Sequence, residues 1–127
     1  MDKEEEIIIL YALYCCGGKG SKARIIHFII ENGLLKPREG DTDLRQTGET
    51  VLVNDLAFDR ATLRDKGQLT MPKHGIWQIT ELGRERLFRI ARAIYAKKPG
   101  EERFHRYNDK FITHMFDLGK KLSGPPQ

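Results

Sequence analysis

The sequence is poor in cysteine, and its cysteines are placed where they cannot hold a fold together. Only Cys15 and Cys16 occur, next to each other. Adjacent cysteines cannot link distant parts of a chain, and they supply at most half of a four-ligand zinc site. We therefore expect no disulfide framework and no structural metal, and a reducing cytoplasm fits this composition best.

The sequence also lacks a long apolar run. The longest one, Ile7 to Cys16, is too short to cross a bilayer. It follows the acidic segment Asp2 to Glu6 and not the basic segment of a signal peptide. We expect no association with a membrane. A chain of 127 residues, with 39% apolar and 31% charged residues, is instead typical of a single globular domain.

Signatures of enzymes are missing as well. The sequence has no nucleophile elbow, no paired carboxylates and no Asp…Glu-x-Lys set of restriction nucleases, and the segment 17–22, GGKGSK, has the wrong spacing for a P-loop. His27, His105 and His114 have no partner at metal-ligand spacing. We therefore predict that the protein is not an enzyme and needs neither a cofactor nor a metal.

Basic charge is unevenly distributed along the chain, whose formal net charge is +4. Between residues 19 and 38 the basic side chains are opposed only by Glu31, and between residues 84 and 98 only by Glu85. Residues 39–66 contain more acids than bases. Segregated basic charge fits a polyanionic partner such as double-stranded DNA, although a solvated surface gives the same pattern.

Apolar periodicity predicts the helices, and glycine or proline marks their ends. Ser21 is a suitable N-cap for the second helix, and Thr80 for the fourth. A polar loop is expected over residues 36–49. The predicted helices cover Glu4–Cys16, Lys22–Asn32, a segment through Leu52, Leu56 and Leu63 that Gly67 closes, a segment from Thr80 to the break at Pro99-Gly100, and Glu101–Leu122.

Two short β-prone runs, Leu69–Met71 and Ile76–Ile79, flank the sequence Pro72-Lys73-His74-Gly75. Proline fixes φ and glycine accepts positive φ, which suits the loop of a hairpin. Three helices followed by a hairpin are typical of a winged helix-turn-helix, in which the third helix enters a DNA groove beside the hairpin, or wing. We predict a mainly α fold: a winged-helix domain over 1–98 with its wing at about 69–79, a C-terminal amphipathic helix over 101–122 and a flexible tail over 123–127.

The segment Val51 to Glu85 resembles the N-terminal winged-helix domain of Mrr-type restriction endonucleases. In that family a helix ending in leucine leads, through polar residues and glycine, to a wing that reads roughly "rGvw-iT--Gre". A looser likeness covers roughly Glu6 to Leu87. The resemblance implies the target-recognition part of a restriction or defence system, with a separate nuclease subunit as a further partner. The matching residues are Leu63, Gly67, Gly75, Trp77, Thr80, Gly83, Arg84 and Glu85.

The charge pattern and the resemblance together select candidate DNA-contacting residues. The start of the second helix and the wing would contact phosphates, and the third helix or the loop before it would provide specificity. Trp77 is expected to pack under the wing, and His74 to be exposed at its tip. The candidates are Lys19, Lys22, Arg24, Arg45, Asn54, Arg60, Lys73 and His74. Such a protein would be cytoplasmic and associated with the nucleoid.

The third helix departs from the family pattern at three positions. Asp55 stands where arginine is usual, Phe58 where tryptophan is favoured, and Asp59 where a small residue is found. Phosphates repel carboxylates, although an aspartate can accept from the amino group of cytosine. A second class of function therefore stays open: a protein-interaction or transcription-regulator module that uses the acidic third helix and the last helix.

The last predicted helix carries an apolar stripe with spacings of three and four residues, the pattern of helix pairing. Either the first helix of the same chain or a second copy would cover this stripe. We predict the second copy, hence a homodimer that presents two third helices to DNA half-sites. The residues of the stripe are Phe104, Tyr107, Phe111, Met115, Leu118 and Leu122.

Overall fold

The computed structural model describes residues 2–46, 48–97 and 104–124. In this part of the chain there are five helices and three strands. The helices are α1 (Lys3–Cys15), α2 (Lys22–Glu31), α3 (Val51–Asp65), α4 (Glu81–Lys97) and α5 (Asp109–Ser123), and the strands are β1 (Lys19–Ser21), β2 (Leu69–Lys73) and β3 (Ile76–Ile79). None of the helices in the described ranges is both long and apolar enough to cross a membrane.

The helices begin where side chains can cap their free N–H groups. Asp2 caps α1 by accepting from the backbone N–H groups of Glu4 and Glu5. Ser21 caps α2, which confirms its predicted start, and Thr50 caps α3. The start of α3 is therefore fixed by Thr50, the residue that directly follows the predicted polar loop.

β2 and β3 pair antiparallel, which confirms the predicted hairpin. Its turn is shorter than predicted, because Pro72 and Lys73 belong to β2. His74 and Gly75 alone connect the strands, and Gly75 has a φ of 77°. Proline is tolerated in β2 because this strand lies at the edge of the sheet, whose order is β1-β3-β2.

The third strand, β1, lies where the sequence analysis predicted only a link between two helices. It pairs with β3, so that Lys19 is opposite Gln78 and Gly20 is opposite Trp77. A side chain at Gly20 would be crowded, because its Cβ would lie 3.0 Å from Ile25 Cδ1. Trp77 is 2% exposed, which confirms its predicted place in the core. The sheet therefore joins the start of α2 to the hairpin.

α1 is the central helix of the core. Its residues Ile7 to Leu10 are all buried, because α2, α3, α4 and the sheet pack around it. A mainly helical domain with a small antiparallel sheet confirms the predicted fold class. The arrangement is compatible with a winged helix that carries an additional C-terminal helix.

The last helix begins later than predicted. α5 starts at Asp109, and Asn108 caps it by accepting from the backbone N–H of Lys110. The predicted helix over 101–122 was therefore wrong for residues 104–108, where Tyr107 forms an isolated β-bridge with Leu35. The predicted break at Pro99-Gly100, residues 101–103 and the end of the predicted tail, 125–127, lie outside the described residues.

The apolar stripe is covered within one chain. Phe111 and Met115 are fully buried, Tyr107 and Leu118 nearly so, and Phe104 and Leu122 are partly buried against the same core. α5 packs on α4, and the ring of Phe111 meets that of Tyr11 in α1 edge-on, with 5.3 Å between centroids. The stripe therefore does not need a second copy to cover it. Homodimerisation itself stays a prediction.

Candidate nucleic-acid interface

The start of α2, the turn of the hairpin and the loop before α3 meet on one side of the molecule. The backbone N–H of Lys22 donates to the carbonyl oxygen of Gly75 over 3.2 Å. The side-chain Nζ of Lys22 lies 2.6 Å from Oε1 of Glu49. Glu49 directly precedes Thr50, the N-cap of α3. Three segments that are distant in sequence therefore share one surface.

Several of the predicted phosphate-contacting residues are exposed around this meeting point. Lys19 and Lys73 are exposed on β1 and β2, and they lie on the face of the sheet opposite to Trp77, because successive side chains along a strand alternate between the two faces. Arg24 is exposed in the first turn of α2, and His74 is exposed in the hairpin turn, as predicted.

Arg45 and Asn54 lie on either side of the start of α3. Arg45 is exposed in a short loop that is closed by a hydrogen bond from its backbone N–H to the carbonyl oxygen of Glu49, over 2.8 Å. Asn54 is partly buried in the first turn of α3. Both residues are thus close in sequence and in space to the N-terminal end of the predicted recognition helix.

Arg60 differs from the other candidates, because it packs against the hairpin. Its Nη1 donates to Sδ of Met71 over 3.4 Å, and its guanidinium lies 6.0 Å from the centroid of the Trp77 ring. Burial lowers the pKa of Arg60, and its Nε has no hydrogen-bond partner among the described residues. The predicted base contact would require this side chain to leave its place beside Trp77.

The face of α3 that points away from the core carries small side chains and one aromatic ring. Leu56 is fully buried, whereas Phe58 is 64% exposed. Helical spacing puts Asn54, Ala57 and Ala61 on the side of Phe58. From Asn54 to Ala61 this face has no charge and few bulky groups, whereas its C-terminal end carries the exposed Arg64 and Asp65. Another macromolecule can therefore approach the backbone of the N-terminal part of α3 closely.

Two of the three aspartates of α3, Asp55 and Asp59, do not place free negative charge on that face, whereas the third, Asp65, is exposed at the end of the helix. Asp55 is paired with Arg38, whose Nη2 lies 3.2 Å from Oδ2 of the aspartate. Asp59 is only 2% exposed, and its Oδ1 accepts from the backbone N–H of Asp2 over 3.1 Å. Burial and the neighbouring Glu5 carboxylate raise the pKa of Asp59 to about 8, so this side chain is mostly neutral at pH 7.

We expect the substitution Asp59→Asn to stabilise the protein at pH 7.5. The unfolded chain releases the Asp59 proton near pH 4, but the folded chain retains it to about pH 8, so the stability of the native protein falls as the pH rises through this window. Asparagine keeps the shape and a hydrogen-bond donor but has no proton to lose. Urea unfolding should give a gain on the order of 2 kcal/mol at pH 7.5, and little change near pH 4.

The exposed Asp65 at the end of α3 offers a matched control. Asp65→Asn should leave the dependence of stability on pH as it is in the native protein. Identical pH profiles for Asp59→Asn and the native protein would show that Asp59 is ionised in the folded state, contrary to the prediction.

A buried arginine holds the loop before α3 in place. Arg106 is fully buried, and its Nε donates to Oε2 of Glu5 in α1 over 2.6 Å. The two terminal nitrogens donate to the two carboxylate oxygens of Asp41 over 2.8 and 3.0 Å. Nη1 also donates to the carbonyl oxygen of Lys36 over 2.9 Å. The segment that precedes α5 therefore positions residues 36–41, and with them the approach to α3.

The sequence analysis did not select Arg38, Glu49 or Arg106 as site residues. In the structure Arg38 pairs with Asp55, Glu49 with Lys22, and Arg106 with Asp41. Arg38 and Glu49 belong to a polar loop, in which charged residues are common and carry no periodic signal. No group of three or more His, Cys, Asp or Glu side chains in the described ranges is arranged to hold a metal ion.

Comparison with known proteins finds a family match and nothing more specific. Residues 7–89 match the family described as the Mrr N-terminal domain. Neither a curated protein nor a solved structure matches the chain. The matched residues run from α1 into α4 and include the sheet, α3 and the loop before it, whereas Arg106 and α5 lie outside the match.

Proposed function

Because the chain belongs to the Mrr N-terminal domain family, we propose that it is a double-stranded DNA-binding module that recognises targets for a restriction or defence system. The observation that carries the proposal is the convergence of basic side chains from β1, α2, the hairpin and the loop before α3 beside the uncharged part of the α3 face, from Asn54 to Ala61. We call these side chains the basic surface. They are Lys19, Lys22, Arg24, Arg45, Lys73 and His74.

The basic surface would bind phosphates, and α3 would read bases. Contacts with phosphates position a protein on the duplex without selecting a sequence, whereas contacts with base edges select it. The small residues Ala57 and Ala61 would let α3 enter the major groove closely. Asn54 has the side chain that pairs with adenine through two hydrogen bonds, and Phe58 offers an apolar contact to a base edge.

The pairing of Asp55 and the burial of Asp59 support this proposal over the alternative. A protein-interaction module was suggested by an acidic third helix and an unpaired last helix. Asp55 is paired with Arg38, Asp59 is buried, and α5 packs on α4. We further propose that the module acts in the cytoplasm, at the nucleoid, where a separate nuclease subunit would cut the DNA that it selects.

We expect the triple substitution of Lys22, Arg24 and Lys73 by alanine to weaken binding to all duplex sequences alike. The native protein should bind a mixed-sequence duplex of about 20 base pairs in the micromolar range or tighter at low salt. In the triple variant the slope of log K against log salt should become shallower by roughly two to three, because each lost phosphate contact removes about 0.9. Fluorescence anisotropy over a salt series measures both quantities.

A matched control removes three exposed cations from the C-terminal helices α4 and α5, outside the basic surface. The substitutions Arg92→Ala, Lys120→Ala and Lys121→Ala in α4 and α5 change the net charge equally. This control should retain most of the affinity and the salt slope. Equal losses in the two triple variants would point to net charge, and unchanged binding in the first would contradict the proposed function.

A further inference from the structure

Lys22 is the one member of the basic surface for which the described residues show an ion pair, and its partner is Glu49. The two side chains are 36% and 37% exposed, so the pair lies at the surface where solvent and DNA have access. The backbones of both members of the pair are held in place. Lys22 donates a backbone hydrogen bond to the hairpin turn, and Glu49 lies directly before the N-cap of α3.

We propose that Glu49 is a built-in competitor of the DNA backbone. In the free protein its carboxylate is paired with the ammonium group of Lys22. When the complex forms, a DNA phosphate replaces the carboxylate as the partner of this ammonium group. The inference rests on the proposed function and specifies how the affinity of the same surface is limited.

The exchange is physically reasonable because both anions use the same donor. A carboxylate and a phosphate oxygen accept the same charge-assisted hydrogen bond from a lysine. A surface ion pair contributes little to stability, so it can be opened without unfolding its surroundings. Glu49 stays near Lys22 after the exchange, however, because the start of α3 holds its backbone. Its negative charge would then lie close to the incoming phosphate and weaken the complex.

The test is the substitution Glu49→Gln, measured by anisotropy with a labelled mixed-sequence duplex at about 100 mM salt. We expect binding to become about three- to tenfold tighter, because one carboxylate next to a bound phosphate is removed. The melting temperature should change little. A charge-matched control is Glu31→Gln at the other end of α2, about 14 Å from Lys22 along the helix; it should change the affinity less than twofold.

A second background shows whether the effect passes through Lys22. In Lys22→Met the further substitution Glu49→Gln should give a clearly smaller gain than in the native background, because it then relieves only the repulsion between the carboxylate and the phosphate. An equal gain with and without Lys22, an equal gain from Glu31→Gln, or weaker binding of Glu49→Gln would each overturn the inference while leaving the proposed function intact. If neither the native protein nor Glu49→Gln binds duplex DNA at low salt, the proposed function fails as well.

Discussion

Replacing Arg106 with methionine should destabilise the protein by about 3–5 kcal/mol, a large part of the roughly 5–15 kcal/mol that is typical of a folded domain. The guanidinium is fully buried and holds the carboxylates of Glu5 and Asp41, which are themselves 1% and 9% exposed. Methionine replaces only the aliphatic part of arginine and has no charge, so both carboxylates would lose their closest cation and keep only the more distant Arg38, at 3.9 Å from each. Urea unfolding followed by circular dichroism measures the loss.

Two further variants show whether unpaired charge causes this effect. Arg92→Met makes the same exchange at an exposed position of α4 and should change stability by less than about 0.5 kcal/mol. The triple variant Arg106→Met, Glu5→Gln and Asp41→Asn removes all three charges and should recover a large part of the loss, because neutral amides are cheaper to bury than carboxylates. A loss for Arg106→Met below 1 kcal/mol would contradict the burial of this charge cluster.

Replacing Phe111 with alanine should cost about 3–5 kcal/mol in the free energy of unfolding, and the cost should not depend on protein concentration. Phe111 is fully buried within one chain, where its ring contacts those of Tyr11 and Tyr107 at centroid distances of 5.3 and 4.9 Å. Deleting the ring leaves a cavity between α5 and the rest of the core. Chemical unfolding at several protein concentrations measures the effect.

The matched control for this prediction is Phe58→Ala, because Phe58 is 64% exposed on α3. This substitution should change stability by no more than about 0.5 kcal/mol. Light scattering gives the mass of each species. If the native chain is a dimer whose mass halves in Phe111→Ala while the monomer stays folded, then the stripe forms an interface between copies, as the sequence alone suggested, and the intramolecular packing is contradicted.

Short-range patterns in the sequence determined the helices and the hairpin. Ser21 and Thr80 mark helix starts because a hydroxyl accepts from free N–H groups of the first turn. Gly75 marks the hairpin turn because its φ of 77° suits glycine. These signals act over a few residues, and so does the pattern around Trp77 that carried the family resemblance. The fold class and the position of the wing could therefore be predicted.

The same local patterns could not predict elements whose stability comes from distant partners. β1 is only three residues long, and its extended conformation is stabilised by antiparallel pairing with β3. Its partners there are Gln78, Trp77 and Ile76. The spacing of Phe104 and Tyr107 is that of a helix, but α5 begins only after its N-cap, Asn108. Tyr107 instead forms a β-bridge with Leu35. A hydrophobic spacing shows that a segment has a buried side and does not show what covers it.

For the candidate site, the sequence determined which charges are present, and the tertiary structure alone decided which of them are free. Asp55 and Asp59 are the same type of residue in the same helix, yet Asp55 is paired with Arg38 and Asp59 is buried beside Glu5. Arg60 and Arg24 are both basic, yet Arg60 lies against Trp77 and Arg24 is exposed. The reason is physical: the energy of a charge depends on its solvation and on its neighbours within a few ångströms, and long-range contacts of the folded chain set both.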